Sequence, residues 1–282
     1  MFDDRNKSES LYHLALIKLR KVFPGSEKGN NDLKRWLETY GSLQEAFNQI
    51  TGQASLESTL EKNLSQAQRK LECFDFETVT IQDPRFPQHL KGVKGATPIL
   101  YASGDLSLWH KKSIAIVGTR ELHNSEDRED GEKIVQNVLG KEYVVVSGLA
   151  EGCDELAHRY AVSHKGKTIA VLGTPLDKHY PSRNKDLQDT IRKEHLLVSQ
   201  YPIGMSNHRA YFALRNKTTV GIATKGIVVI IADDKSGTQH AIKECLAQNK
   251  SLYVLKNNLN RGFEWIEKLK GKYTVLNPNK EA

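Results

Sequence analysis

SIAIVGTRELHNSEDREDGEKIVQNVLGKEYVVVSGLAEGCD, residues 113–154, is the stretch whose reading decides the fold. Ser113 to Val117 is a short run rich in β-branched residues that stops at Gly118-Thr119-Arg120, and residues 143–147 form a second run that stops at Gly148. Between them Ile134, Val135, Val138 and Leu139 recur at helical spacing, so the segment reads as a strand, a helix and a second, parallel strand. Strands that end in small residues at one rim leave backbone N–H groups free where the next helix begins. Such a rim suits an anion.

Working outward toward the C terminus, the alternation continues. Ala157, Tyr160 and Ala161 mark a helix, and residues 168–172, 196–199, 227–232 and 251–255 read as strands. Further helices are predicted over 238–248 and around 263–270. Six strand candidates separated by helices predict an α/β fold with a doubly wound sheet. Toward the N terminus, residues 9–71 read as helical, with Leu11, Leu14, Ala15 and Leu19 on one face and Leu33, Trp36, Leu37 and Tyr40 on another. Gly41-Ser42 supplies a stop and a new cap before Leu43, Ala46, Phe47 and Ile50. Between module and sheet, Val79 and Ile81 read as a strand, Asp83-Pro84 as a turn and residues 98–101 as an extended piece. The predicted organisation is a helical module over 1–73, a connecting segment over 74–112 and a sheet core over 113–282.

A chain of 282 residues, 38% hydrophobic, can bury a full core. It has no apolar run near the ~20 residues that a membrane span requires, and its start, MFDDRNKSES, lacks the apolar core of a signal peptide. A soluble, cytoplasmic protein is expected. Cys73, Cys153 and Cys245 are odd in number and far apart, which argues against a disulfide frame or a zinc site. The histidines show no metal-ligand spacing, and no metal is predicted. A net charge of +7 points to a polyanionic partner. Only 11 of the 41 Lys/Arg and 10 of the 34 Asp/Glu lie in residues 1–73, so the surplus belongs to the later part.

Which anion the rim takes is narrowed by what is missing. The first core strand is followed by one glycine, not by G-x-G-x-x-G, so the dinucleotide fingerprint is absent. No G-x-x-x-x-G-K-[ST] occurs either, and no cofactor is predicted. What remains is a phosphate track: Gly118-Thr119-Arg120, Ser147-Gly148, Arg215-Asn216-Lys217 and Lys235-Ser236-Gly237-Thr238. Arg120 offers a planar fork, Lys217 and Lys235 offer point charges, and the small residues offer backbone N–H groups. Phe212 either presents a face to an unpaired base or fills the core.

These residues also carry a resemblance. Gly118-Thr119-Arg120, Ser147-Gly148-Leu149-Ala150 with Gly152 and Asp154, Ala157-His158, Leu176-Asp177, Tyr180-Pro181, Tyr201-Pro202, Arg215-Asn216 and Lys235-Ser236-Gly237 occur in a characteristic order. That order resembles the DNA processing protein A family, also called DprA or Smf, over about residues 76–255. The resemblance implies an extended Rossmann-like core with a small helical, SAM-like N-terminal domain. It implies a non-enzymatic protein that binds single-stranded DNA, forms a homodimer through its core and helps load RecA recombinase during natural transformation or a related DNA-processing pathway. Carried over by motif, Arg120, Phe212, Arg215, Lys217 and Lys235 line the DNA pocket with Gly118, Ser147 and Gly148, and Thr119, Asn216, Ser236 and Gly237 complete the set. No catalytic residue is implied. His158 is expected to brace the Ser147-Gly148 loop.

The chain departs from the family pattern at several places. Glu151 stands where Arg is usual, which weakens DNA affinity if it faces the groove. Gln200 replaces Glu, Ile231 replaces Glu, Lys217 replaces Arg, and a member lacking the C-terminal winged-helix domain is expected. Two other readings of the same rim stand beside the DNA reading: a sensor of free nucleotides, and a nucleoside-monophosphate phosphoribohydrolase. The second lacks an expected carboxylate, since Ser236-Gly237-Thr238 is followed by Gln239.

Overall fold

The β-branched runs become the middle of one nine-stranded sheet. The structure is a computed structural model and describes residues 4–20, 23–51 and 58–279. Helices α1 (Asp4–Arg20), α2 (Glu27–Tyr40), α3 (Leu43–Thr51) and α4 (Ser58–Glu72) come first, followed by β1 (Glu77–Thr80), α5 (Gln88–Lys91) and β2 (Ile99–Gly104). The core then runs β3 (Ser113–Val117), α6 (Ser125–Gly140), β4 (Val144–Ser147), α7 (Cys153–Ser163), β5 (Thr168–Leu172), α8 (Lys185–Glu194) and β6 (Leu196–Ser199). It closes with α9 (Arg209–Ile222), β7 (Gly226–Val229), α10 (Thr238–Ala247), β8 (Ser251–Leu255), α11 (Glu264–Lys268) and β9 (Thr274–Leu276).

The strand order is β1-β2-β6-β5-β4-β3-β7-β8-β9. Pairing is parallel from β6 through to β9, while β1 and β2 are added antiparallel at the β6 edge. β3 lies between β4 and β7, so the winding reverses there, and the crevice outside the carboxyl ends of β3 and β7 is the switch point of a doubly wound fold. Strands β3 to β7 are buried along their whole length, as strands covered by helices on both faces must be. Alternate residues of β3 feed two cores: Ile114 and Ile116 pack with Ile134 and Val135 of α6 and Leu156 of α7. Ala115 and Val117 join the opposite core with Val220 and Ile222 of α9.

The six expected strands are β3 to β8. Within residues 74–112, the strand read at Val79 and Ile81 and the extended piece read at 98–101 become β1 and β2 of the sheet, where Val79, Leu100 and Tyr101 are buried under the first helices. β9 escaped the sequence reading; its three residues pair with β8 through Val254 and Val275 but are too few to show a pattern. The last helix spans five residues rather than eight, started by Asp234, which accepts from Glu264 N–H at 3.0 Å and Trp265 N–H at 2.8 Å. Leu19, expected on a buried face, is 40% exposed in the last turn of α1. Leu14, Ala15 and Leu16 are all buried, so the helix is covered on more than one side in its middle and uncovered at its end.

The N-terminal helices have no core of their own. Leu14, Leu37 and Phe47 belong to the same buried cluster as Tyr101 of β2 and Leu197 of β6. The seam is also polar: Thr78 N–H donates to Asn6 Oδ1 at 3.2 Å, and His13 Nδ1 lies 2.7 Å from the Tyr101 hydroxyl. Helix α9 is fixed at its carboxyl end by Lys250, whose Nζ donates to the carbonyls of Gly221 at 3.0 Å and Ala223 at 2.6 Å, matching the negative end of the helix dipole.

Of the three buried histidines among the described residues, two, His13 and His158, are the main source of acid sensitivity, while burial also lowers His195. Burial lowers both His13 and His158 from 6.5 to about 3. Between those values the unfolded chain takes up protons that the folded chain refuses, so stability is complete above 6.5 and falls as pH drops toward 3. The expected loss is about 1.4 kcal/mol per pH unit per histidine. Urea midpoints measured between pH 7 and pH 5 should fall in the wild type and flatten in His13→Asn/His158→Asn; an equally steep fall in the double variant would refute the assignment.

Candidate nucleic-acid interface

At the switch point the chain turns sharply after β3. A side chain at Gly118 would overlap Cys153 Sγ and lie 2.9 Å from the Ile231 carbonyl, so only glycine fits. Thr119 N–H donates to Ile231 O at 2.8 Å and Thr119 O accepts from Cys153 N–H at 3.1 Å, which stitches this turn to the end of β7 and the start of α7. Arg120 therefore projects from a fixed base. It is exposed, with its guanidinium carbon 5.8 Å from the centroid of the Phe212 ring.

Helix α9 forms one wall. His208 caps it, Nδ1 accepting from Ala210 N–H at 3.2 Å. Helical spacing puts Arg209, Phe212, Ala213 and Asn216 along a single stripe, and that stripe lines the cleft. Phe212 is half-buried. Its ring rests on Gly173, where an added Cβ would come within 2.5 Å of Cδ1, and it pairs with Tyr180 at a centroid distance of 4.9 Å. Tyr180 is 46% exposed, so the pair presents aromatic surface to solvent.

The facing wall comes from the loop after β7 and the amino end of α10. Asp233 Oδ1 accepts from Lys235 N–H at 2.8 Å, an Asx turn that leaves the Lys235 ammonium exposed. Asp234 is turned away to start α11. Ser236, Gly237 and Thr238 then open the helix toward the cleft. The enclosed space is about 830 Å³.

Under the floor sits a buried ionic group. The Arg215 guanidinium donates to the Val171 carbonyl and packs against Gly148, while its Nε has no partner among the described residues. Burial pushes the Asp154 carboxyl up from its usual range, and the nearby Arg215 opposes that rise. Ser147 is fully buried, its hydroxyl donating to Ile116 O at 2.6 Å. His158 lies beside it, with Nδ1 2.7 Å from Thr168 Oγ1.

Of the residues singled out from the sequence, Gly118, Thr119, Arg120, Phe212, Arg215, Asn216, Lys235, Ser236 and Gly237 meet around this one cleft. Ser147 and Gly148 lie beneath it as supports. Lys217 is elsewhere: its Nζ donates to Lys94 O at 3.2 Å and lies 4.0 Å from Glu244. Two positions along a helix from Arg215 is more than half a turn around, which carries Lys217 to the opposite flank. Glu151 lines a neighbouring depression and reaches Arg183 at 3.8 Å. Tyr180, His208 and Arg209 line the cleft but were given no site role from the sequence, Tyr180 entering only as part of the family motif. Arg209 was legible as a cation one turn before Phe212, whereas Tyr180 arrives from a loop and carries no periodic signal.

Comparison with known proteins bears on the whole sheet. Residues 77–270 match the family model described as DNA recombination-mediator protein A. The DNA processing protein DprA of Streptococcus pneumoniae (strain ATCC BAA-255 / R6) is 34% identical over 187 residues, covering 66% of this chain and 65% of that relative's length. The crystal structure of DprA from Streptococcus pneumoniae superposes with a TM-score of 0.74 at 25% identity, covering 94% of each chain. DNA processing protein A from Helicobacter pylori, a structure that concerns the single-stranded DNA binding mode of that protein, superposes with a TM-score of 0.63 at 26% identity, covering 71% of this chain and 91% of that one. With its α/β sheet, its helical N-terminal region and a family match across most of its length, this chain belongs to the DNA recombination-mediator protein A (DprA/Smf) family.

Proposed function

We propose that this chain binds single-stranded DNA in the cleft between β3 and β7 and holds it without cutting it. One observation carries the reading. Arg120, Arg209 and Lys235, all exposed and with no salt bridge among the described residues, surround the aromatic pair Phe212 and Tyr180. Cations neutralise phosphates and release counterions, and rings stack on any base, so binding is salt-dependent and tolerant of sequence. A duplex keeps its base faces stacked inside, which denies the pair its grip.

The sheet core (113–282) does the binding in this reading, with the connecting segment (74–112) and helical module (1–73) completing it. The protein acts as a cytoplasmic homodimer that hands the strand to RecA recombinase, in transformation or a related DNA-processing pathway. No enzymatic step is assigned. Gln239, which stands where a phosphoribohydrolase would need a carboxylate, donates its Nε2 to Asp233 O at 2.9 Å instead.

Fluorescence anisotropy with labelled oligo-dT at several salt concentrations tests this. With about 0.7 counterions released per neutralised phosphate and three cations, log affinity should fall against log salt with a slope of about −2. Tighter binding of nucleoside monophosphates than of oligo-dT would favour the nucleotide sensor, and release of a free base would favour the phosphoribohydrolase.

A further inference from the structure

The turn between α1 and α2 carries one aromatic ring to the edge of the cleft. Phe23 is 41% exposed, although Pro24 and Gly25 beside it are buried. Residues 23–26 of this turn are tied by hydrogen bonds. Ser26 donates to the Phe23 carbonyl from its N–H at 3.2 Å and from its hydroxyl at 2.6 Å, while its Oγ accepts from Gly29 N–H at 3.1 Å to cap α2. Gly25 has φ +81° and is pressed so closely against Gln200 that no side chain fits there.

From this turn the Phe23 ring meets His208 edge-on at 5.3 Å and Tyr211 at 5.5 Å. Tyr211 is buried and stacked on Tyr201 at 4.4 Å, so it belongs to the core. His208 is exposed and lines the cleft, with exposed Arg209 next to it. A continuous row therefore leads from Phe23 through His208 and Arg209 to the Phe212–Tyr180 pair. A ring placed only for packing would be covered; this one is anchored against His208 and Tyr211 and left 41% exposed.

We infer that Phe23 is a second stacking ledge, engaging a further base of the same single strand that occupies the cleft. The inference rests on the single-stranded DNA reading above. Continuity of the row and the cation in it, Arg209, which has no carboxylate partner among the described residues, identify the occupant. The helical module thus lengthens the footprint of the sheet domain rather than merely flanking it.

The test uses the full chain with oligo-dT of about 5 and about 15 nucleotides, within the span of known single-strand sites. Phe23→Leu keeps the apolar packing and removes the aromatic face; it should leave the short oligonucleotide's affinity unchanged and weaken the long one by about 5- to 50-fold. Phe23→Trp should retain both affinities and show fluorescence quenching with the long oligonucleotide alone. Wild-type affinity of Phe23→Leu at both lengths, or an equal loss at both, overturns the ledge. Absence of oligo-dT binding by the wild type overturns the cleft reading itself and is distinguishable from either. Should Phe23→Leu lower the melting temperature, the Phe23→Trp quenching pattern decides alone: quenching confined to the long oligonucleotide supports the ledge, and any other pattern overturns it.

Discussion

Arg120→Ala combined with Lys235→Ala should weaken oligo-dT binding by about two orders of magnitude or more, with the melting temperature nearly unchanged. Each side chain is placed to make a charge-assisted hydrogen bond with phosphate, worth about 1.5–3 kcal/mol, and Arg120 also lies over the Phe212 ring. Removing both bonds at once corresponds to about a hundredfold or more in affinity. Neither side chain supports the fold: both are exposed, and the hydrogen bond of Lys235 runs through its backbone N–H, which alanine keeps. Calorimetric melting and anisotropy on the same preparation separate the two effects. Wild-type affinity of the double variant in low salt would remove the cleft from consideration as the DNA site.

Gly148→Ala should act in the opposite way, destabilising the protein by about 3–5 kcal/mol and abolishing binding as a consequence. An added methyl group would fall inside the Arg215 guanidinium, which would have to give up its bond to Val171 O to make room. Displacing it leaves the buried Asp154 carboxyl without its cation and the Val171 carbonyl without that donor. Gly237→Ala is the control, since a side chain there meets nothing within 4 Å. Its stability should stay within about 0.5 kcal/mol of wild type. A Gly148→Ala variant as stable as Gly237→Ala would show that the buried ionic group is not a structural support.

The parallel core was legible because β-branched runs such as those of β3, β4 and β5 are buried on both faces and punctuated by glycine or polar turns. Edges read poorly. The extended pieces that become β1 and β2 were readable, but their place in the sheet was not, because it depends on the helices that cover Val79 and Tyr101, and β9 is too short to carry a pattern. At the site, Gly118, Arg120 and Lys235 were readable because they sit directly after strands at the one rim where ligands gather. Lys217 misled because a motif in sequence is contiguous whereas a helix turns consecutive residues to different sides. Glu151 raised the prospect of weakened DNA affinity for the same reason, yet its neighbour in space is Arg183.

The reversal of winding at β3 has a bearing on biosynthesis. Ser113 N–H at the start of β3 is secured by the Thr224 hydroxyl just before β7, a partner 111 residues further along the chain. A polypeptide emerging from the ribosome can thus display the glycine turn and Arg120 long before the strand that completes their surroundings has been translated. Until β7 docks beside β3 only one wall of the cleft is in place, so on the proposed reading an unfinished chain lacks the completed site.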